Sequence, residues 1–310
     1  MEKFIPVVVI KELSETDKIL TALKNYGINC AEITFRTACA AEAIEYACKN
    51  YPDMSVGAGT VINAEQCEAA LRAGAQFIVS PGLSVSVAKI CSERNIPYYP
   101  GCVTPTEIMQ ALELSITTVK FFPANIYGGL NALKNLAAPF GDMKFLPTGG
   151  INADNVGEFI ATPFIHAVGG SWVCPKADIA AGNWDKITQL CADARKAALG
   201  FEIAHVGINM PDAEAALGLG KELGNAFGFG VKDGNSSVFA STGIEIMKTM
   251  YLGTNGHIAV RTNSIPLAIA ALEKKGYSIL PETAKSKNGR MIAVYLAGEF
   301  GGFAIHLLQK

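Results

Sequence analysis

At 310 residues, half of them hydrophobic and 17% charged, the chain has enough apolar material for one large domain, or for a barrel with a smaller partner. Its formal net charge of −2 gives no electrostatic basis for nucleic acid or an anionic membrane surface as the main partner. No apolar run approaches the roughly 20 residues that cross a bilayer. The opening MEKFIPVVVIKEL meets charge at once and lacks a small-residue cleavage site, so a first strand and a cytoplasmic protein are expected.

From the N-terminus, short β-rich runs alternate with longer helical stretches. The runs are FIPVVVI (4–10), CAEITF (30–35), SVGAGT (55–60), FIVSPG (77–82), YYPGC (98–102), TTVKFFP (117–123), KFLPTGG (144–150) and HAVGGSW (166–172). Stretches such as SETDKILTALKNYG and AEQCEAALRAGA fill the gaps as amphipathic helices. Such alternation requires a parallel sheet, because parallel neighbours need a crossover connection. Eight units closing on themselves predict an α/β fold, a (β/α)8 TIM barrel over residues 1–198; an open doubly wound sheet is the competing arrangement. The texture changes after NWDKITQLCADARKAALG. Residues 201–310 contain an internal repeat, AHVGINMPDAEAALGLGKELG against GHIAVRTNSIPLAIAALEKKGY, each half continuing as strands with turns. A smaller α+β domain of paired βαβββ modules is expected there.

The eight cysteines all precede residue 200 and none forms CxxC, which suggests neither zinc pairs nor a disulfide framework. They read as reduced thiols acting as small core hydrophobes. His166, in PFIHAVGG, has no evident partner and reads as structural.

The unusual residues collect at the predicted C-terminal ends of the barrel strands, where barrels of this kind carry their chemistry. Glu32 and Arg36 lie on and just after the second strand, and Thr60 ends the third. Ser80-Pro81-Gly82 ends the fourth. In TTVKFFPAN, Lys120 interrupts what is otherwise a buried strand, and lysine is almost never fully buried unless it is paired or put to use. An amine held out of water is a nucleophile toward a carbonyl carbon once it sheds its proton, and the product is a Schiff base. Such chemistry needs a proton shuttle, for which Glu32 is placed, and a cation for an acidic substrate, for which Arg36 offers a bidentate fork. The bland alternative is an interior Lys120–Glu32 ion pair without chemistry. Thr148-Gly149-Gly150 and Gly169-Gly170-Ser171 end the seventh and eighth strands, a location where glycine backbone commonly approaches phosphate.

AEITFRT, VGAGTV, FIVSPG, PGCVTPTE, VKFFPA, LPTGGI and VGGSW, in this order, resemble 2-keto-3-deoxy-6-phosphogluconate (KDPG) aldolase, a class I aldolase that often also acts on 4-hydroxy-2-oxoglutarate. The resemblance covers about residues 1–198. It implies that Lys120 forms the Schiff base with pyruvate or the keto carbon of the sugar acid, with Glu32 as general acid/base. Arg36 and Thr60 would bind the pyruvyl carboxylate. Gly149, Gly150, Gly170 and Ser171 would cradle the distal phosphate, while Pro81, Pro100 and Phe122 would wall the pocket. Lys11 matches a basic position of the family and reads equally well as a solvated lysine at a helix start. The family implies a homotrimer, a keto-acid substrate, no metal, and products pyruvate with glyceraldehyde 3-phosphate or glyoxylate. Asn125 stands where relatives often carry an acid, and Cys102 is expected beside the pocket. The rival is another phosphate-binding barrel, an isomerase or sugar-phosphate epimerase, with a non-catalytic C-terminal module.

In the second segment, His205 and His257 occupy corresponding places in the two half-repeats, and so do Glu245 in GIEIM and His306 in FAIHLL. Paired βαβββ modules with ligands at those four positions resemble the vicinal-oxygen-chelate superfamily, which includes glyoxalases and extradiol dioxygenases. His306 departs from the glutamate that many members carry. The resemblance implies a divalent metal, and imidazole with carboxylate suits zinc, nickel, manganese or iron(II) alike. A second enzyme on a related keto acid or aldehyde, a metabolite-binding module and a metal-free structural appendage all remain as readings of this segment.

Overall fold

The computed structural model describes residues 3–310. The chain divides into two units, Met1–Ala198 and Leu199–Lys310. No helix among the described residues is long and apolar enough to cross a membrane.

The first unit contains strands β1 (Phe4–Val8), β2 (Cys30–Thr34), β3 (Ser55–Gly59), β4 (Ile78–Val79), β5 (Tyr98–Tyr99), β6 (Thr118–Phe121), β7 (Lys144–Pro147) and β8 (Val168–Gly170). Six of them run side by side as β5-β4-β3-β2-β1-β8, and β6 pairs with β7. Isolated parallel bridges join the two sheets: Gly101 with Lys120 on one side, Phe145 with Ile165 and Thr148 with Gly169 on the other. First and last strands are neighbours and the remaining gaps are bridged, so the fold is TIM-barrel-like and the open doubly wound alternative fails. Inside it, Ile5, Cys30, Val79 and Leu146 from β1, β2, β4 and β7 pack on one another.

The strands are shorter than the sequence runs. β4 and β5 have two residues each, because Pro81 and Pro100 have no N–H to continue a ladder. The helices follow local signals closely. Leu13–Asn25 opens with a capping box between Glu12 and Glu15 and buries Thr16, Ile19, Leu20 and Leu23 along one stripe. Pro105–Glu113 opens with a Thr104/Glu107 capping box and a proline in its first turn.

In the second unit, β9 (Glu202–Asn209), a helix (Ala213–Phe227), β10 (Val231–Asp233), β11 (Ser237–Ala240) and β12 (Ile244–Met247) are followed by a second set in the same order. That set is β13 (Gly256–Thr262), a helix (Ile265–Glu273), β14 (Ile279–Lys287), β15 (Arg290–Phe300) and β16 (Phe303–Gln309). All eight strands form one sheet, ordered β10-β11-β12-β9-β13-β16-β15-β14. The order mirrors about the antiparallel β9–β13 pair, with β12 parallel to β9 and β16 parallel to β13. Equivalent N-caps start the two helices: Asp212 accepts from the Ala215 N–H and Ser264 from the Leu267 N–H.

Candidate functional site

Lys120 projects from β6, its backbone N–H bonded to the Pro100 carbonyl and its carbonyl to the Cys102 N–H. Its side chain is 7% exposed, and Nζ lies 3.5 Å from Glu32 Oε1 and 5.3 Å from the centre of the Phe122 ring. Glu32, on β2, is fully buried, and its second oxygen has no hydrogen-bond partner. A buried carboxylate oxygen left unpaired is costly. The other oxygen of the same carboxylate faces the Lys120 ammonium at the long distance of 3.5 Å, so the pair leaves hydrogen-bonding capacity unused.

Glu32 has room because of Gly59 on β3, where a Cβ would overlap the Glu32 carboxyl group. Next to it, Thr60 adopts φ +58°, a left-handed conformation that is an outlier for a β-branched residue. In that conformation its Oγ1 accepts a 3.0 Å bond from Arg36 Nε and steadies the guanidinium.

Arg36, Lys120 and Phe122 line a cavity of about 570 Å3 together with Gly149, Gly150, Gly170 and Ser171. Gly149 and Gly150 have φ of +95° and +75°, so their backbone turns back under the cavity in a way a side chain would strain. Asn125 packs its side chain on Gly150 and donates its backbone N–H to the Gly149 carbonyl. Thr148 also lines the cavity, and its buried Oγ1 has no partner.

One expectation requires correction. Pro81 and Pro100 do not line the cavity: Pro81 is exposed at the end of β4, and Pro100 is buried where its carbonyl serves the Lys120 backbone. Cys102 sits beside the cavity through its backbone N–H, which donates to the Lys120 carbonyl, while its buried thiol turns away to the Glu107 carbonyl at 3.6 Å. His166, read as structural, meets the Tyr99 hydroxyl at 3.4 Å. Thr60 does not itself line the cavity and reaches it through Arg36. Lys11 is exposed outside it, its backbone N–H bonded to Glu15.

Burial pushes the Cys102 thiol up to about 12, with the Glu107 carboxylate adding to the effect. A raised thiol pKa means a neutral, weakly nucleophilic group at pH 8. Cys102 should therefore stay unlabelled by iodoacetamide at pH 8 in folded protein and react after denaturation, as read by peptide mass analysis. Rapid labelling in the native state would contradict the packing.

In the second unit, the four residues singled out in the sequence converge on one spot. His205 Nε2 (β9) and His257 Nε2 (β13) are 3.2 Å apart. Glu245 Oε2 (β12) lies 3.0 Å from the first and 3.3 Å from the second. His306 (β16) completes a group of three imidazoles whose ligating atoms all fall within 4.8 Å of one another. Both of its ring nitrogens are buried without partners, and the ring stacks on Tyr295 at 4.7 Å between centroids. Burial pushes His306 down to about 3, with His257 and His205 adding to the effect, so it is neutral at pH 7. Burial alone would raise the Glu245 carboxyl, but bonds from His205, His257 and Ser237 outweigh it and hold it far below the usual carboxylate range.

These donors fit a divalent ion. Bonds of about 2.0–2.2 Å to nitrogen and oxygen place neighbouring donors about 3 Å apart, which is the spacing among His205, His257 and Glu245, while the His306 donor lies within 4.8 Å of the other two imidazoles. Two further residues build the site. Ser237 Oγ donates to Glu245 Oε1 at 2.6 Å and turns the other oxygen toward the imidazoles. Gly207, paired with Glu245 on one side and His257 on the other, lacks a Cβ where the His257 ring lies. A glycine inside a strand is the one sequence signal at Gly59 and Gly207, and it does not say which side chain approaches.

A TIM-barrel-like fold with a buried lysine beside a carboxylate is compatible with the aldolase class of carbon–carbon lyases, and it is the likeness to known proteins that shows that class. Residues 1–190 match the family model described as KDPG and KHG aldolase, and the chain belongs to that family. The 2-dehydro-3-deoxy-phosphogluconate aldolase of Treponema pallidum (strain Nichols) is 44% identical over 188 residues, 61% of this chain and 90% of that protein. A crystal structure of KDPG aldolase from Legionella pneumophila, with pyruvate captured as a covalent carbinolamine intermediate, is 39% identical and superposes with a TM-score of 0.60 over 62% of this chain and 94% of that one. The KDPG aldolase of Zymomonas mobilis ZM4, crystallised with 3-phosphoglycerate, is 40% identical with a TM-score of 0.58, covering 63% and 91%. The rival expectation of an isomerase or epimerase finds no support in these matches.

Proposed function

We propose that the first unit is a class I aldolase that cleaves 2-keto-3-deoxy-6-phosphogluconate to pyruvate and glyceraldehyde 3-phosphate, and 4-hydroxy-2-oxoglutarate to pyruvate and glyoxylate. The observation that carries this reading is the buried Lys120 Nζ set 3.5 Å from Glu32 at the strand ends of the cavity. Lys120 Nζ, as the neutral amine, adds to the C2 carbonyl to give a carbinolamine. Glu32, having taken the ammonium's proton, gives it to the departing hydroxyl, and loss of water leaves the protonated imine with Glu32 again a carboxylate. Glu32 then takes the proton from the C4 hydroxyl, the C3–C4 bond breaks, and its electron pair flows to the iminium nitrogen as an enamine while the aldehyde departs. Glu32 returns a proton to C3, and water releases pyruvate and the free amine. Arg36, held by Thr60, pairs with the C1 carboxylate. The cradle of Gly149, Gly150, Gly170 and Ser171 receives the distal phosphate, as its place beyond β7 and β8 suggests. The homotrimer implied by the resemblance is read by light scattering. Borohydride added with pyruvate is expected to fix a reduced pyruvyl group on the peptide containing Lys120. An adduct at another residue, or none, would refute the assignment.

We further propose that the second unit is a metal-binding module of the vicinal-oxygen-chelate type, with His205, Glu245, His257 and His306 as ligands. The repeated β-α-β-β-β order and the convergence of these four side chains support it. When bound, a divalent ion in this setting supplies Lewis-acid stabilisation of adjacent substrate oxygens. The protein should carry about one equivalent of a divalent metal per chain, lose it to chelator, and rebind it in a calorimetric titration; His257→Ala should not rebind it. Wild-type protein that binds none of zinc, nickel, manganese or iron(II) would leave the unit a metal-free appendage.

A further inference from the structure

We propose that Lys176 is the charged partner of the substrate's distal phosphate and thereby sets the preference of the barrel for phosphorylated over unphosphorylated keto acids. The inference rests on the aldolase reading above and names a residue that the family resemblance does not assign.

The residues that line the cavity include three cations, Arg36, Lys120 and Lys176, and no aspartate or glutamate. Two of the three are committed at the reacting end: Arg36 is bonded to Thr60, and Lys120 faces Glu32. Lys176 stands elsewhere on the wall, at the first position of the short helix Lys176–Ala180, beyond the Gly170-Ser171 side of the cradle. It is exposed. The nearest acid on its own helix is Asp178, whose carboxylate is taken by Lys186 at 2.9 Å and Asn183 at 3.0 Å. Among the described residues Lys176 makes no ion pair, so its charge is available on the cavity wall.

The cradle itself supplies only neutral donors, backbone N–H groups and the Ser171 hydroxyl. A phosphate monoester carries between about −1.5 and −2 charges at pH 7. Neutral donors satisfy its oxygens but do not balance that charge, and a lysine on a flexible stem does. A keto acid that ends in a carboxylate at C5 is shorter by a carbon and a phosphate and does not extend as far toward the mouth. Lys176 therefore acts on one substrate class and not on the other.

The test compares kcat/KM for the phosphorylated six-carbon keto acid with that for 4-hydroxy-2-oxoglutarate in wild type, Lys176→Ala, Lys176→Arg and Lys176→Glu. The ratio of the two should fall about 5- to 10-fold in Lys176→Ala, through KM rather than kcat, and further in Lys176→Glu. Lys176→Arg should keep it. The wild-type ratio should also fall as salt rises, and less so in Lys176→Ala. An unchanged ratio in both the alanine and glutamate variants overturns the proposal. If wild type traps pyruvate on Lys120 but does not cleave the phosphorylated acid, the Lys176 assignment fails while the Schiff-base mechanism stands. If no adduct forms at all, the aldolase reading itself has failed.

Discussion

Lys120→Met should abolish both the borohydride-trapped pyruvyl adduct and aldol cleavage, the latter by about 10^4-fold or more, since loss of a covalent nucleophile removes the whole pathway and not one contact. Methionine keeps a stem of similar length and removes only the amine. The substitution leaves Glu32 buried opposite an apolar chain, and breaking one side of a buried ion pair costs about 3–5 kcal/mol. The double variant Lys120→Met/Glu32→Gln removes that charge and serves as the folding control, read by thermal melting. Glu32→Gln alone should separate the two roles: it keeps the nucleophile, so the adduct still forms, while turnover falls about 10^2- to 10^4-fold with the loss of the proton shuttle. Persistent turnover in Lys120→Met would return the Lys120–Glu32 pair to a purely structural role.

Gly207→Ala is expected to abolish the metal binding proposed for the second unit without replacing any of the four proposed ligands. The glycine lies on β9 between Glu245 on β12 and His257 on β13. Its missing Cβ is the space that the His257 ring fills. An added methyl group must push that imidazole aside, and overpacking of this kind costs about 1–3 kcal/mol. The larger effect falls on the donors, since moving His257 breaks the 3.2 Å and 3.3 Å spacings that make the cluster suitable for one ion. Metal affinity should drop by at least the about 10- to 100-fold seen when supporting residues are lost. Melting with and without added metal gives an independent reading. Wild type should gain stability with the logarithm of metal concentration over Kd, and Gly207→Ala should gain little. Full metal binding by Gly207→Ala would mean that His257 is not a ligand.

Much of this was legible in the residues. Period and punctuation revealed the eight barrel strands and the repeated module of the second unit, because strand–helix alternation and capping boxes such as Thr104/Glu107 are local signals. Lys120 stood out for a similar reason: a charge inside an apolar run is visible without any contact map. Other features were hidden because they depend on which side chain meets which backbone. Gly59 and Gly207 look like ordinary strand glycines until the Glu32 carboxyl and the His257 ring are seen in the space above them. Ser237 is one serine among many until it meets Glu245 across the β11–β12 pair.

The sequence by itself determined the kinds of elements, the order of the two units, and the list of chemically capable residues, since these follow from composition and short-range pattern. Only the tertiary structure decided which of them share a site. Barrel closure brings β2 beside β3 and carries β6 round to face them, so residues 88 positions apart, Lys120 and Glu32, meet at 3.5 Å. The same closure leaves Pro81 and Pro100 out of the cavity wall where they were expected. In the second unit, pairing of β9 with β12 and β13, and of β13 with β16, converts four separated residues into one cluster of donors. Register and closure are long-range events. A strand's own residues fix what it can pair with, and the partner that arrives fixes where each side chain ends up.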